Sequence, residues 1–350
     1  MDLKLPILLA PNNYTPLKRT PWAGSYISKQ IKNELYPDEA GSKIGESWEF
    51  SCDPDFPSKI WRAEKTLIEL GKELKIPFEL LLKIINAADN LSLQVHPDDQ
   101  SPYLKPLECG KPESWLIIDK EPGAGIYLGF KRHLAAYELR HLLDQGNILD
   151  ELQFVPVAEG DYFEIPPGVA HAIGRGVSLV EPQQIHFEQS GKTYRLWDWD
   201  RRYDAHGTAD PIHGTKRALH IEESIYAIDQ EKRVGKDLLA ALYKKPKINE
   251  LTPGIEVHSY APNSYYQTTK LNLSKNKKCL IQITGSYLVS LTLKGNLIAL
   301  APPGDEAIHL NKGFSALWLP GVKPMLITAQ SDAQIIFVHP IETSLHISHS

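Results

Sequence analysis

Cysteine is scarce, with three residues in 350 (Cys52, Cys109 and Cys279) and no Cys-x-x-Cys pair among them. An odd, scattered set builds neither a disulfide framework nor a thiolate zinc site, and it predicts a reducing, cytoplasmic setting. A surplus of positive charge is missing as well. Lys and Arg number 38 against 43 Asp and Glu, for a formal net charge of −5, the opposite of a nucleic-acid binder's basic footprint. No apolar run approaches the roughly 20 residues of a membrane-spanning helix. The stretch Leu5–Ala10 is broken by Pro6 and is too short for the apolar core of a signal peptide. Neither nucleic acid nor membrane is therefore expected as a partner. Disorder is excluded by a composition that is 42% hydrophobic and 23% charged. At about 150 residues per domain, the length predicts two domains.

Proline and glycine are plentiful, at 26 and 23 residues, and are spread so that they punctuate short elements. Leu80–Ile85, Leu91–Val95, Ser114–Asp119, Ile126–Phe130, Tyr162–Ile165 and Ser178–Val180 are apolar or alternating runs that read as strands. Past Tyr265 the pattern is almost wholly β, through Cys279–Ile283, Tyr287–Leu293, Leu297–Leu300, Ala316–Leu319 and Gln334–Val338. Strands at roughly 8–12-residue spacing predict a sandwich or barrel. Helical periodicity is confined to His133–Leu152, carried by Leu134, Tyr137, Leu142 and Leu149, and to Asp237–Tyr243. The charged, proline-bearing stretch Glu231–Pro262 predicts a crossover.

An internal repeat sharpens this outline. Gly160-Asp-Tyr-Phe-Glu-Ile-Pro-Pro-Gly168-Val-Ala-His171 lies over Gly313-Phe-Ser-Ala-Leu-Trp-Leu-Pro-Gly321-Val-Lys-Pro324, each a glycine, a short apolar strand and Pro-Gly-Val at one offset. The expectation is a mainly β chain of two tandem jelly rolls, over residues 1–235 and 236–350, with a small helical insertion at about 133–152 in the first. His171 falls opposite Pro324, so chemistry is expected in the first copy and packing in the second.

The chemistry-bearing residues cluster on the expected strand ends. Within Leu91–Asp98, Gln94 and His96 lie two apart and share one face, while Leu93 and Val95 face the other. Glu113 ends Lys111-Pro112-Glu113 and leads into the Ser114–Asp119 strand, and His171 follows the Pro166-Pro167-Gly168 turn. Any one of these side chains alone is more often structural or solvated. Together, a Gln oxygen, a carboxylate and two imidazoles make an N/O set suited to zinc or another divalent first-row ion.

Six stretches, in order over about the first two-thirds of the chain, carry a family likeness: Gly45-Glu-Ser-Trp-Glu49, Leu82-Lys83, Leu91-Ser-Leu-Gln-Val-His-Pro97, Gly110-Lys-Pro-Glu113, Ile165-Pro-Pro-Gly-Val-Ala-His171 and Thr193-Tyr-Arg-Leu-Trp-Asp-Trp-Asp-Arg201. They resemble the type I phosphomannose isomerases in their shorter bacterial form. The resemblance implies a cupin-fold enzyme that interconverts mannose 6-phosphate and fructose 6-phosphate with one zinc ion per chain, held by Gln94, His96, Glu113 and His171. It further implies that Arg195 is an active-site arginine, that Lys83 and Ser92 help hold the phosphate, and that Lys111 lines the pocket. The chain departs from the pattern at Trp22-Ala23-Gly24, where the family has Trp-Gly-Gly, and by about four extra residues at Ile185-His-Phe-Glu188. That leaves Glu181 and Glu188 as alternatives for the family's glutamate.

Such an isomerisation moves a proton between C1 and C2 through an enediol or enediolate. It calls for carbonyl polarisation by a metal, a fixed cation such as Arg195, and a general base. Glu181, Glu188, Lys111 and His186 are the candidates for the base, with a carboxylate near Glu181 preferred. Lys83, on an apolar strand, binds phosphate or extends its stem along the strand edge to water. Trp48, Trp197 and Trp199 are possible pocket walls, with core packing expected of at least two. Asp198 and Arg201, on the segment after Arg195, are expected to pair with each other, worth at most about 1 kcal/mol if the pair is exposed. Two other readings use the same residues. His96, Glu113 and His171 alone suit a non-haem iron oxygenase, against which the fourth ligand Gln94 counts. A non-catalytic sugar-phosphate-binding cupin is the other, against which Arg195 and the complete ligand set count.

Overall fold

The computed structural model describes residues 3–228, 232–301 and 307–349. One strand, Leu80–Asn86, shows how it is layered, because all seven of its residues are buried. Leu80, Leu82 and Ile84 enter a core cluster shared with the C-terminal half, whereas Leu81, Lys83 and Ile85 face the interior of the N-terminal half. A continuous apolar run of this length marks a strand covered on both faces.

The first jelly roll has two five-stranded sheets. One runs in space Glu46–Phe50, Leu80–Asn86, Val177–Gln184, Glu113–Lys120, Tyr162–Ile165; the other runs Tyr194–Trp197, Leu93–Val95, His171–Ile173, Gly125–Phe130, Leu152–Pro156. The second roll repeats this with Ile255–Ser259, Tyr266–Leu273, Ala333–Pro340, Leu288–Lys294, Ser315–Trp318 and with Ser344–His349, Lys278–Thr284, Met325–Ala329, Asn296–Leu300, Ala307–Asn311. Counted along the chain within each roll, both show the orders 1-2-9-4-7 and 10-3-8-5-6. The repeat is thus one of topology. Its turns match too, with φ of +89° and +86° at Gly160 and Gly313 and of +89° and +90° at Gly168 and Gly321, values that glycine adopts without a Cβ penalty. Ile7–Leu8 and Lys247–Thr252 extend one sheet of the second roll at its two edges.

The second roll packs where the first holds polar groups. Glu113 pairs with Ile165, and at the repeat offset Leu288 pairs with Trp318. Gln94 pairs with His171, and on the corresponding strands Ile281 pairs with Met325, beside Pro324. Ile281, Leu288 and Met325 are all buried.

Helices are few, and among the described residues none is long and apolar enough to cross a membrane. The expected insertion is an α-helix over Ala136–Asp144 followed by a 3₁₀ turn over Ile148–Glu151. Its buried residues differ from those expected, because Tyr137 and Leu149 are exposed at 74% and 43% while Leu139 and Ile148 are buried. The α-helix stops at Asp144, so Leu149 does not continue its face. The second expected helix spans Gly235–Leu242 and seats Leu238 and Leu242 in the core of the first roll. Of the expected crossover, Glu231 lies outside the described residues, and Lys247–Ser259 forms a hairpin. Among the described residues two α-helices, Leu67–Leu74 and Ile221–Ile228, escaped the periodicity reading. The first had a local signal in Thr66-x-x-Glu69, which forms a capping box.

The rolls meet over a continuous apolar interface, with polar bonds set into it. Tyr162 stacks on Tyr260 with centroids 4.3 Å apart, and the Tyr266 hydroxyl donates to the Pro182 carbonyl at 2.8 Å. Lys32 Nζ lies 2.8 Å from Glu49 Oε1 with both side chains buried, and it also donates to the Gly313 carbonyl. Glu49 accepts further bonds from Ser47 Oγ at 2.6 Å and from Ser315 Oγ at 2.8 Å.

Candidate active site and metal centre

Strand alternation and register assemble the site inside the first roll. Glu113 and Trp115 share a face of one strand, as do Glu181 and Gln183 on its neighbour. Pairing sets Gln183 opposite Glu113, Glu181 opposite Lys83, and Gln94 opposite both His171 and Arg195. Below them the roll is filled by Ile85, Ile117, Ile126, Leu128, Ile173 and Leu179. The polar groups therefore stand on an apolar floor.

His96, Glu113 and His171 bring one potential ligand atom each within 4.8 Å of one another, all three buried. His96 Nδ1 is 3.1 Å from the Lys192 carbonyl oxygen and His171 Nδ1 is 2.8 Å from that of Val169. A carbonyl can only accept, so each Nδ1 carries the hydrogen and each Nε2 presents a lone pair. Both Nε2 atoms are buried without a hydrogen-bond partner. They lie 3.0 Å (His96) and 3.5 Å (His171) from the Glu113 oxygens. Burial, followed by the charge of Lys111, pushes His96 down to about 3, and burial lowers His171 as well, which keeps both imidazoles neutral. Burial alone would raise Glu113, but positive charge beside it, supplied by Lys111 at 3.7 Å when the imidazoles are neutral, holds it below the usual carboxylate range. Two neutral imidazole lone pairs facing an anionic carboxylate at these distances repel unless a cation sits between them. The donor set therefore fits a divalent metal.

A cavity of about 260 Å³ opens beside this cluster, and every predicted site residue except His171 lines it: Lys83, Ser92, Gln94, His96, Lys111, Glu113, Glu181 and Arg195. His171 is fully buried behind them. The structure also separates the candidates for the base. Glu188 turns outward at positive φ and pairs with Lys72, and His186 pairs with Asp99 and Glu79 on the surface. Glu181 faces the cavity, with Lys83 Nζ at 3.1 Å from Oε2 and the Trp115 indole nitrogen at 3.1 Å from Oε1. Burial and the nearby Glu113 charge push Glu181 up to about 7 against the pull of Lys83 and Lys111. Burial opposes charge on Lys83, but Glu181, Glu46 and Glu113 outweigh it and its pKa is raised. Burial and then Lys83 lower that of Lys111.

Of the three tryptophans, Trp48 lines the cavity, with Lys83 Nζ 4.7 Å from its ring centroid. Trp197 and Trp199 pack on each other at 4.6 Å in a core cluster with Leu93 and Phe130. Arg195 Nη1 donates to the Ala218 carbonyl at 3.0 Å, while its Nε is buried without a partner. The expected pair of Asp198 and Arg201 forms within a network around a buried aspartate, with Arg201 and Arg217 part-buried. Arg217 reaches Asp198 through Nε at 2.6 Å and Nη2 at 2.7 Å, and Arg201 adds a contact at 2.7 Å. Burial works to raise Asp198, but the bonds from Arg217 and Arg201 prevail and hold it below the ordinary aspartate range. A folded pKa below the unfolded one adds stability above about pH 4 that is lost as pH falls through the folded value. Asp198→Asn is therefore expected to cost about 2 kcal/mol in urea unfolding at pH 7 and much less near pH 2.

Sequence reasoning missed Arg19, Asp53, Thr193 and Arg217 in the cavity wall and Gln183 beside Glu113, to which it donates at 2.6 Å. Period-two alternation from Glu181 would have found Gln183. Nothing local marks Arg19 or Arg217, which reach the cavity from segments distant in sequence.

Three relatives bear on this geometry. The chain is 32% identical over 303 residues to the mannose-6-phosphate isomerase of Streptococcus mutans, spanning 83% of this chain and 86% of that one. The crystal structure of the mannose 6-phosphate isomerase from Bacillus subtilis matches with a TM-score of 0.77 at 24% identity, over 96% of this chain and 99% of that one. A mannose 6-phosphate isomerase bound with zinc and yttrium matches with a TM-score of 0.63 at 13% identity, over 96% and 98% of the two chains. No protein-family model matches the sequence.

Proposed function

The chain belongs to the mannose-6-phosphate isomerase family and is an aldose–ketose isomerase, and we propose that it interconverts mannose 6-phosphate and fructose 6-phosphate with one zinc ion held by Gln94, His96, Glu113 and His171. The observation that carries the metal assignment is the pair of orphaned imidazole Nε2 atoms turned toward Glu113. When bound, zinc supplies Lewis acidity that polarises the substrate carbonyl.

The remaining steps belong to side chains. Glu181 moves the proton between C1 and C2, since it is the carboxylate that faces the cavity with a pKa near working pH. Lys83 is committed to Glu181, and its charge keeps part of that carboxylate ionised. Arg195, with its unpartnered Nε, offers a permanent cation to the developing oxyanion or to the phosphate, and Ser92 adds a hydroxyl on the same wall. Lys111 stands 3.7 Å from Glu113 and screens the metal-site carboxylate. We further read residues 1–235 as the metal-binding half and 236–350 as the half that only packs, consistent with Ile281, Leu288 and Met325 at the corresponding positions. The three free, buried cysteines support a cytoplasmic setting.

The test is a coupled assay that forms mannose 6-phosphate from fructose 6-phosphate, run before and after chelation and again with zinc restored. Turnover that disappears on chelation and returns with zinc is the expected result. A verified zinc-loaded sample without turnover would refute the reading.

A further inference from the structure

The apolar floor of the first roll sends one polar group up into the site. Trp115 is fully buried in the cluster that contains Ile85, Ile117 and Leu179. Its indole nitrogen has two acceptors, Glu113 Oε1 at 3.0 Å and Glu181 Oε1 at 3.1 Å. Its ring meets that of His171 edge to face, with centroids 5.3 Å apart and planes at 83°.

We propose that Trp115 is a positioning residue whose single N–H ties the orientation of the Glu181 carboxylate to the metal-site carboxylate Glu113. Glu181 is held at two points, by Lys83 on Oε2 and by Trp115 on Oε1. The lysine stem has four rotatable bonds, whereas the indole has two and is walled in on all sides, so the indole sets the reference. The donor type matters as much as its place. A cation there would draw Glu181 away from basicity, and a hydrocarbon would leave a buried carboxylate oxygen without a donor. A neutral N–H stabilises both anions and adds no charge between them.

This inference rests on the isomerase reading, in which Glu181 is the base, and the wild-type rate in the same assay tests that reading separately. Trp115→Phe removes the N–H. Replacement by 3-benzothienylalanine does so at nearly constant volume, with sulfur in place of the nitrogen, and serves if the phenylalanine variant does not fold. The benzothienyl protein is expected to lose about tenfold in kcat with KM within about twofold, and to bind zinc about tenfold more weakly against a chromophoric chelator. In a Glu181→Gln background the same replacement is expected to lower kcat by less than about twofold, because the group it positions is already gone. An equal fold-loss in both backgrounds overturns the proposal. So does a benzothienyl protein with wild-type kcat and zinc affinity.

Discussion

Glu181→Gln lowers kcat by roughly 10³-fold while zinc content and fold are retained, a loss in the range that a positioned general base contributes. The substitution is nearly isosteric, so it keeps an acceptor for Trp115 while removing the ability to hold the proton and the negative charge that faces Lys83. The wild-type pH profile should show the same group. Glu181 must be ionised to accept a proton, so kcat/KM falls as pH drops through its pKa. Burial and Glu113 place that value at about 7. A divalent ion on Glu113 offsets the charge that raises it and draws the acidic limb below this value. The measurement is kcat and kcat/KM from pH 5 to 9 for both proteins, with zinc determined on each sample. A glutamine variant retaining more than about a tenth of wild-type kcat would remove Glu181 from the base role.

Lys32→Met destabilises the protein by about 3–5 kcal/mol, because it strands Glu49 as an uncompensated charge between the rolls. Both partners are about 1% exposed. Burial disfavours the ammonium and lowers its pKa, and the contacts to Glu49 offset part of that cost. Ser47 and Ser315 alone would then have to satisfy a buried carboxylate. The double variant Lys32→Met/Glu49→Leu is expected to recover most of the loss, since an ion pair replaced as a unit removes the desolvation penalty together with the attraction. Urea unfolding of the single and double variants decides this. A double variant as unstable as Lys32→Met would show that packing, and not the stranded charge, sets the cost. The strand that carries Glu49 presents Glu46 and Trp48 to the cavity on its other face. This pair therefore also braces one wall of the site.

What the chain reveals unaided is whatever depends on neighbours in sequence. Period-two alternation placed Gln94 and His96 on one face, and the glycine-bounded strands exposed a repeat that proved to be a repeat of sheet order. The polar His171 against Pro324 pointed to the first copy as the one with chemistry, and the His96, Glu113 and His171 cluster lies there. These signals are legible because a strand's faces and a turn's φ are set locally. The insertion helix was misread at Tyr137 and Leu149 because periodicity shows a face but not where the helix stops or what covers it.

Tertiary structure alone decided the rest. Glu181 and Glu188 are chemically identical in the sequence, and only folding buries the first beside Lys83 and turns the second out to Lys72. Arg217, Trp115 and the burial of Asp198 likewise appear only once distant strands are in register. Ionisation is the clearest case: the sequence determined that carboxylates, imidazoles and lysines were available. Their protonation states follow from burial and from charges a few ångströms away, and those distances exist only in the folded chain.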